Sequence, residues 1–242
     1  MNHAQDARAT LSLRHFEDLP SLEAAKQIAL LLDRTVLPIQ GPPGSGKTFT
    51  GAHMILELVK NGMKVGVTAV SHKVISNLLK ATCKAAAEEN RKLKIVQKCD
   101  GDDGCVHDFV EIARDNDASR RRPSPITMRL KSSPARSGFG RGRNWHRRVD
   151  VLFVDEAGQM SLANVLAASP AANSIVLLGD PQQLDQPQRG VHPAGAEASA
   201  LSHLLNDHKD NYAGSRTVPR QRAGACILIF AHSLPMFFMR AV

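Results

Sequence analysis

One octapeptide narrows the folds open to this chain more than any other feature: Gly41-Pro42-Pro43-Gly44-Ser45-Gly46-Lys47-Thr48. It follows a short apolar run, Thr35 to Ile39. It precedes a segment of helical periodicity, Lys47 to Lys60, which Asn61-Gly62 closes. Strand, glycine-rich turn and helix in that order are the setting in which such a loop wraps phosphate oxygens. The glycines let backbone N–H groups turn inward, and the helix start adds partial positive charge. Gly41 to Thr48 are therefore candidate ATP contacts. Lys47 is expected to neutralise the β- and γ-phosphates, and the Thr48 hydroxyl to ligate Mg²⁺.

The rest of the chain supplies the fold such a loop requires. Ser21 to Asp33 reads as an amphipathic helix with Ser21 as its N-cap. Val65 to Val70 is expected to be a second strand, His72 to Glu88 a second helix and Leu93 to Gln97 a third strand. Val149 to Val154 and Ile175 to Leu178 are continuous apolar runs, as in strands buried on both faces of a parallel sheet. The alternation predicts an α/β fold: a doubly wound, mainly parallel sheet flanked by helices.

Two of these strands end in polar residues with chemical consequences. Asp155-Glu156 follows Val151-Leu152-Phe153-Val154, so Asp155 is expected to reach the metal beside Thr48. Glu156 can then orient the attacking water and take its proton. The second is Gly179-Asp180-Pro181-Gln182-Gln183-Leu184, where an amide can sense the γ-phosphate.

Together these segments, with Gln40 before the loop and Ala157-Gly158-Gln159 after the carboxylates, resemble motifs I, II and III of superfamily 1 helicases. The branch they resemble holds the nonsense-mediated-decay helicase and its DNA-repair relatives, including bacterial proteins with a RecB-like nuclease ahead of the motor. The resemblance covers roughly residues 21–205. It implies a RecA-like domain that hydrolyses ATP with Mg²⁺ to drive translocation on single-stranded DNA or RNA. It also implies partnership with a second RecA-like domain absent from this chain, and in some members a nuclease domain. Gln183 matches the motif III glutamine of the family. Thr68-Ala69-Val70-Ser71-His72-Lys73 resembles motif Ia, which makes Ser71, His72 and Lys73 the candidates for contact with strand phosphates. The adenine-reading glutamine of the family aligns near Ala24, and Gln27 is the nearest glutamine. The alternative function is a nucleotide-binding product without helicase activity.

Composition bears on partners and surroundings. The 242 residues, 43% of them hydrophobic, suffice for one sizeable α/β domain, and no apolar run approaches the length needed to span a membrane. Four irregularly spaced cysteines (Cys83, Cys99, Cys105, Cys226) are expected as free thiols in a reducing cytoplasm. The net charge of +8 is local: ten basic and no acidic residues lie between Arg120 and Arg148, so the remainder is slightly acidic. This stretch and residues 206–242 have irregular composition, while residues 1–20 form a polar lead-in. The domain is thus expected to comprise 21–119 and 149–205. The helicase family carries a Gly-Thr element before motif II and an Arg-Met-His-Pro element after motif III. Neither is visible here. Read two nucleotides on, with codons common in GC-rich genes, Ser132 to Arg147 yields the first. The same shift over Ala225 to Arg240 yields a close likeness of the second. The expectation is a frame shifted near residues 120–131, restored near Arg148 and shifted again around residues 206–225. The competing reading is a native Arg-rich arm that binds phosphates nonspecifically.

Overall fold

The computed structural model describes residues 16, 19–99, 103–113, 126–128, 149–181 and 198–206, with backbone alone for 126–128 and 206. The helices are α1 (Ser21–Leu30), α2 (Lys47–Lys60), α3 (His72–Glu88), α4 (Leu162–Ala168) and α5 (Ala200–Asn206). The strands are β1 (Val36–Gln40), β2 (Val65–Thr68), β3 (Ile95–Lys98), β4 (Val110–Ala113), β5 (Ile126–Met128), β6 (Val149–Val154) and β7 (Ala172–Gly179). They form one sheet in the order β1-β7-β6-β2-β5-β3-β4, with every pairing parallel. This is the doubly wound P-loop fold anticipated from the apolar runs.

Alternation along the central strands shows why those runs are unbroken. Val176 and Leu178 of β7, with Val151 and Phe153 of β6, face a core shared with α1, α2 and α3. Ile175 and Leu177, with Leu152 and Val154, face a second core built with Ala157, Met160, Val165, Leu201 and Leu205. Neither face meets water, so neither needs polar residues. Each fully buried Val, Leu, Ile or Phe contributes about 1.5–3 kcal/mol. On the first face the approach is close: a Cβ on Gly51 of α2 would lie 2.6 Å from Leu178 Cδ1.

Several boundaries differ from those the sequence suggests. Ser21 is the first residue of α1 rather than its cap; Pro20 occupies that position and makes no side-chain cap bond. The lead-in is not wholly apart from the domain, since Phe16 is buried in the first core. Within the stretch read as irregular, Ile126–Met128 forms β5. It inserts between β2 and β3, whose backbone groups need a partner on that side. The remainder of 120–148, Cys226 and residues 207–242 lie outside the described residues.

Beneath α3 a polar brace replaces apolar packing. The wholly buried Gln97 donates from Nε2 to Ser76 Oγ (3.0 Å) and accepts the Cys105 N–H at Oε1 (2.7 Å). Ser76 Oγ donates to the Asp103 carbonyl (2.5 Å). The brace ties α3, β3 and the following turn together. Cys83, Cys99 and Cys105 are buried free thiols, and burial pushes Cys83 up to about 12. Among the described residues no helix is long and apolar enough to cross a membrane.

Candidate functional site

Parallel pairing brings the chemically loaded strand ends to one edge. The β1–β7 register sets Gln40 beside Gly179, so the glycine-rich loop and Asp180 leave the sheet together. Val154 pairs with Leu177 on one side and Thr68 on the other, and Asp155 continues this pairing by donating its N–H to the Thr68 carbonyl (2.9 Å). Ligand clefts of open α/β sheets form at this edge.

The loop is shaped by its glycines. Gly44 and Gly46 have φ of 78° and 88°, left-handed values that side chains disfavour. Gly46 in that conformation is the N-cap of α2 and starts the helix through Thr50 N–H to the Gly46 carbonyl (2.9 Å). Gly41 donates its N–H to the Gly179 carbonyl (3.2 Å), fastening the loop to β7. Lys47 folds back over the loop and donates from Nζ to the Gly41 carbonyl (2.5 Å) and the Pro42 carbonyl (2.8 Å). Burial lowers its pKa, opposed by the nearby carboxylates of Asp180, Asp155 and Glu156.

Facing the loop is the turn after β6. Asp155 is 6% exposed, and burial pushes its pKa up to about 6 although Oδ1 accepts the Glu156 N–H (2.9 Å). Burial also raises the pKa of Glu156, opposed by Lys47. Glu156 is the one residue of this turn with positive φ, 54°, a conformation that costs a side chain on the order of 1 kcal/mol. The turn is locked to β7 by Ala157 N–H on the Leu178 carbonyl (2.8 Å) and by close backbone contact of Gly158 with Asp180.

One cleft of about 200 Å³ joins these parts. Pro43, Gly44, Lys47 and Thr48 form one wall, Asp155 and Glu156 the facing one, and Gly179 and Asp180 the floor beside β7. Val74 and Asn77 of α3 close the side. The arrangement suits a polyphosphate: left-handed glycines at a helix start, a lysine among carbonyls, and a buried Ser45 Oγ with no hydrogen-bond partner among the described residues. The Thr48 hydroxyl and the buried Asp155 carboxylate offer the oxygen donors a small hard cation takes. Among the described residues no three His, Cys, Asp or Glu side chains converge as a metal site of their own. A cation here would therefore draw further ligands from phosphate and water.

The sequence-derived candidates thus assemble in part. Pro43, Gly44, Lys47, Thr48, Asp155 and Glu156 share the cleft. Ser71, His72 and Lys73 stand at the start of α3, one residue before Val74. Ser71 Oγ caps that helix by accepting the Val74 N–H (3.3 Å), His72 is half-buried and Lys73 is exposed. Ala24 is buried, so it contacts no base, and Gln27 is half-buried on α1. Gln183 lies outside the described residues. Val74, Asn77, Gly179 and Asp180 also line the cleft and were not among the candidates. Asp180 was detectable as a carboxylate ending an apolar strand, whereas nothing in the sequence marks Asn77.

Comparison with known proteins places a family over most of the chain: a model described as an AAA domain matches residues 22–213. The DNA replication ATP-dependent helicase/nuclease DNA2 of Xenopus laevis is 32% identical over 169 residues, 68% of this chain and 16% of that protein. The DNA replication ATP-dependent helicase/nuclease JHS1 of Arabidopsis thaliana is 29% identical over 164 residues, 66% of this chain and 11% of that protein. The DNA-binding protein SMUBP-2 of Rattus norvegicus is 43% identical over 67 residues, 27% of this chain and 7% of that protein. The matched region therefore spans under a fifth of the length of these relatives.

Proposed function

The chain belongs to the AAA-domain family, and from that premise we propose that it is the ATP-hydrolysing motor domain of a helicase acting on single-stranded nucleic acid. The observation that carries this is the convergence of Lys47, Thr48, Asp155 and Glu156 on one cleft at the glycine-rich loop. The relatives are a DNA replication helicase/nuclease and a DNA-binding protein, which favours DNA over RNA as the strand.

In this reading the N–H groups of Gly41 to Thr48 cradle the phosphates. Lys47 exchanges its loop carbonyls for β- and γ-phosphate oxygens. Thr48 and Asp155 hold Mg²⁺, whose chemical contribution is to neutralise charge developing on the phosphates. Glu156 accepts a proton from water as the water oxygen bonds to the γ-phosphorus. The bond from that phosphorus to the bridging oxygen breaks, its electrons stay on ADP, and inorganic phosphate leaves. Gln183, four residues beyond β7 in the sequence, is assigned the sensing of phosphate loss, and Ser71, His72 and Lys73 grip the strand. A second RecA-like domain would complete the motor with arginines, a contribution of ~10³–10⁵ in rate in related phosphoryl transfer; this chain alone is expected to hydrolyse ATP slowly. A nuclease domain in the parent is a further proposal, supported by the relatives' names.

The test is equilibrium binding of ATP and ADP by the purified chain and by Lys47→Ala. The variant should lose measurable affinity for both nucleotides. Unchanged affinity would remove the cleft from this role.

A further inference from the structure

The roles above leave the α3 wall of the cleft without a task. Val74 and Asn77 both line it, and residues three apart share a helix face. Asn77 is exposed, and its carboxamide makes no hydrogen bond among the described residues. Its position is nonetheless fixed. Ser71 caps the helix, and the neighbouring Ser76 is anchored inward to Asp103 and Gln97. α3 cannot turn about its axis without breaking that buried brace.

Strand order says which end of a nucleotide Asn77 would meet. α3 leaves β2, the neighbour of β6, so it stands beside Asp155 and Glu156. Its Val74 and Asn77 line the same cleft as Pro43 and Gly44. If Lys47, Thr48 and Asp155 handle the β- and γ-phosphates, the Asn77 wall belongs to the terminal phosphate. An uncharged amide suits that place. It can donate to a phosphate oxygen and accept from the attacking water without adding to the negative charge of Asp155, Glu156 and Asp180.

We infer that Asn77 is a further binding residue for the terminal phosphate of a nucleoside triphosphate, an assignment that rests on the triphosphate reading of the cleft. One consequence concerns coupling. Lys73 lies in the first turn of the same helix, four residues earlier and about 6 Å along the axis. A residue that meets the terminal phosphate thus shares a rigid helix with the candidate strand-gripping residues.

The experiment compares affinities for a nonhydrolysable ATP analogue and for ADP in the full chain, in Asn77→Ala, in Asn77→Asp and in Lys47→Ala. Losing a hydrogen bond to a charged phosphate should weaken analogue binding by Asn77→Ala about tenfold or more, with ADP affinity unchanged. Asn77→Asp should lose more, since it adds a like charge while keeping the shape. Melting temperature should stay at the wild-type value in both Asn77 variants, because the side chain is exposed. Equal effects on analogue and ADP, or none on either, would overturn the inference and leave the reading of the cleft standing. Failure of that reading has its own signature: the wild-type chain binds neither nucleotide, or Lys47→Ala binds both normally.

Discussion

The cleft predicts a cost to the fold that grows with pH. Asp155 is buried at the end of β6, and that burial pushes its carboxyl up to about 6, above the ordinary carboxylate range. The cause is first desolvation, then repulsion from Glu156; the Glu156 N–H and Lys47 only partly offset them. The folded chain therefore holds a proton that the unfolded chain releases, and stability falls as pH rises from about 4 to about 6. Over that interval the loss amounts to about 3 kcal/mol of destabilisation at pH 7. Asp155→Asn removes the ionisation but keeps an oxygen able to accept the Glu156 N–H. Its new amide hydrogens have neighbouring carboxylates to meet. In a chelator and without nucleotide, the variant should melt roughly 6–12 °C above wild type at pH 7.5. The gain should shrink through pH 5 and vanish near pH 4. Calorimetry or circular dichroism at the three pH values reads this directly. A variant no more stable than wild type at pH 7.5, or stabilised equally at pH 4, would refute the reasoning.

Three further outcomes follow from particular contacts. Glu156→Gln should bind nucleotide as wild type does while single-turnover hydrolysis falls by about 10²–10⁴; undiminished hydrolysis would remove Glu156 as the base. Gln97→Leu leaves the buried Cys105 N–H unpaired and should cost about 1–3 kcal/mol in urea unfolding. Combined with Ser76→Ala it should deviate from additivity by at least about 0.5 kcal/mol, and strict additivity would show that the brace does not act as a unit. Resequencing the coding DNA from codon 115 past codon 242, on independent template, should reveal inserted or missing nucleotides near codons 120–131, near codon 148 and again around codons 206–225. An intact frame would instead make the Arg-rich run native, and strand binding steeply salt-dependent.

What could be read from the sequence was whatever one continuous segment carries. α2 and α3 begin and end where their periodicity and flanking residues indicate, and β6 coincides with its apolar run. β4 left no such trace. It is an edge strand, paired only with β3, and its Glu111 and Ile112 are exposed, so it shows neither alternation nor an apolar run. β5 has three residues, and α4 and α5 seven each, too short for a period to register. The glycine-rich loop and Asp155-Glu156 announced themselves because each follows its own strand. Asn77 did not, because its place in the cleft depends on how α3 is set against β6, a relation between segments far apart in the chain.

The same distinction bears on the basic stretch. β5 pairs in register with β2 and β3 up to Met128, and β6 resumes pairing at Val149. Both strands run parallel to the rest of the sheet, and a connection between parallel strands takes a dozen or more residues. A shifted frame confined to 129–148 would change none of the residues that pair in the strands on either side. The cleft is equally indifferent, since every residue lining it lies before Met128 or after Val149. A fold that tolerates such a stretch says nothing for its nativeness. Nor does the basic charge argue for a phosphate-binding arm, because ten arginines and lysines without a single carboxylate are also what reading GC-rich codons out of frame produces.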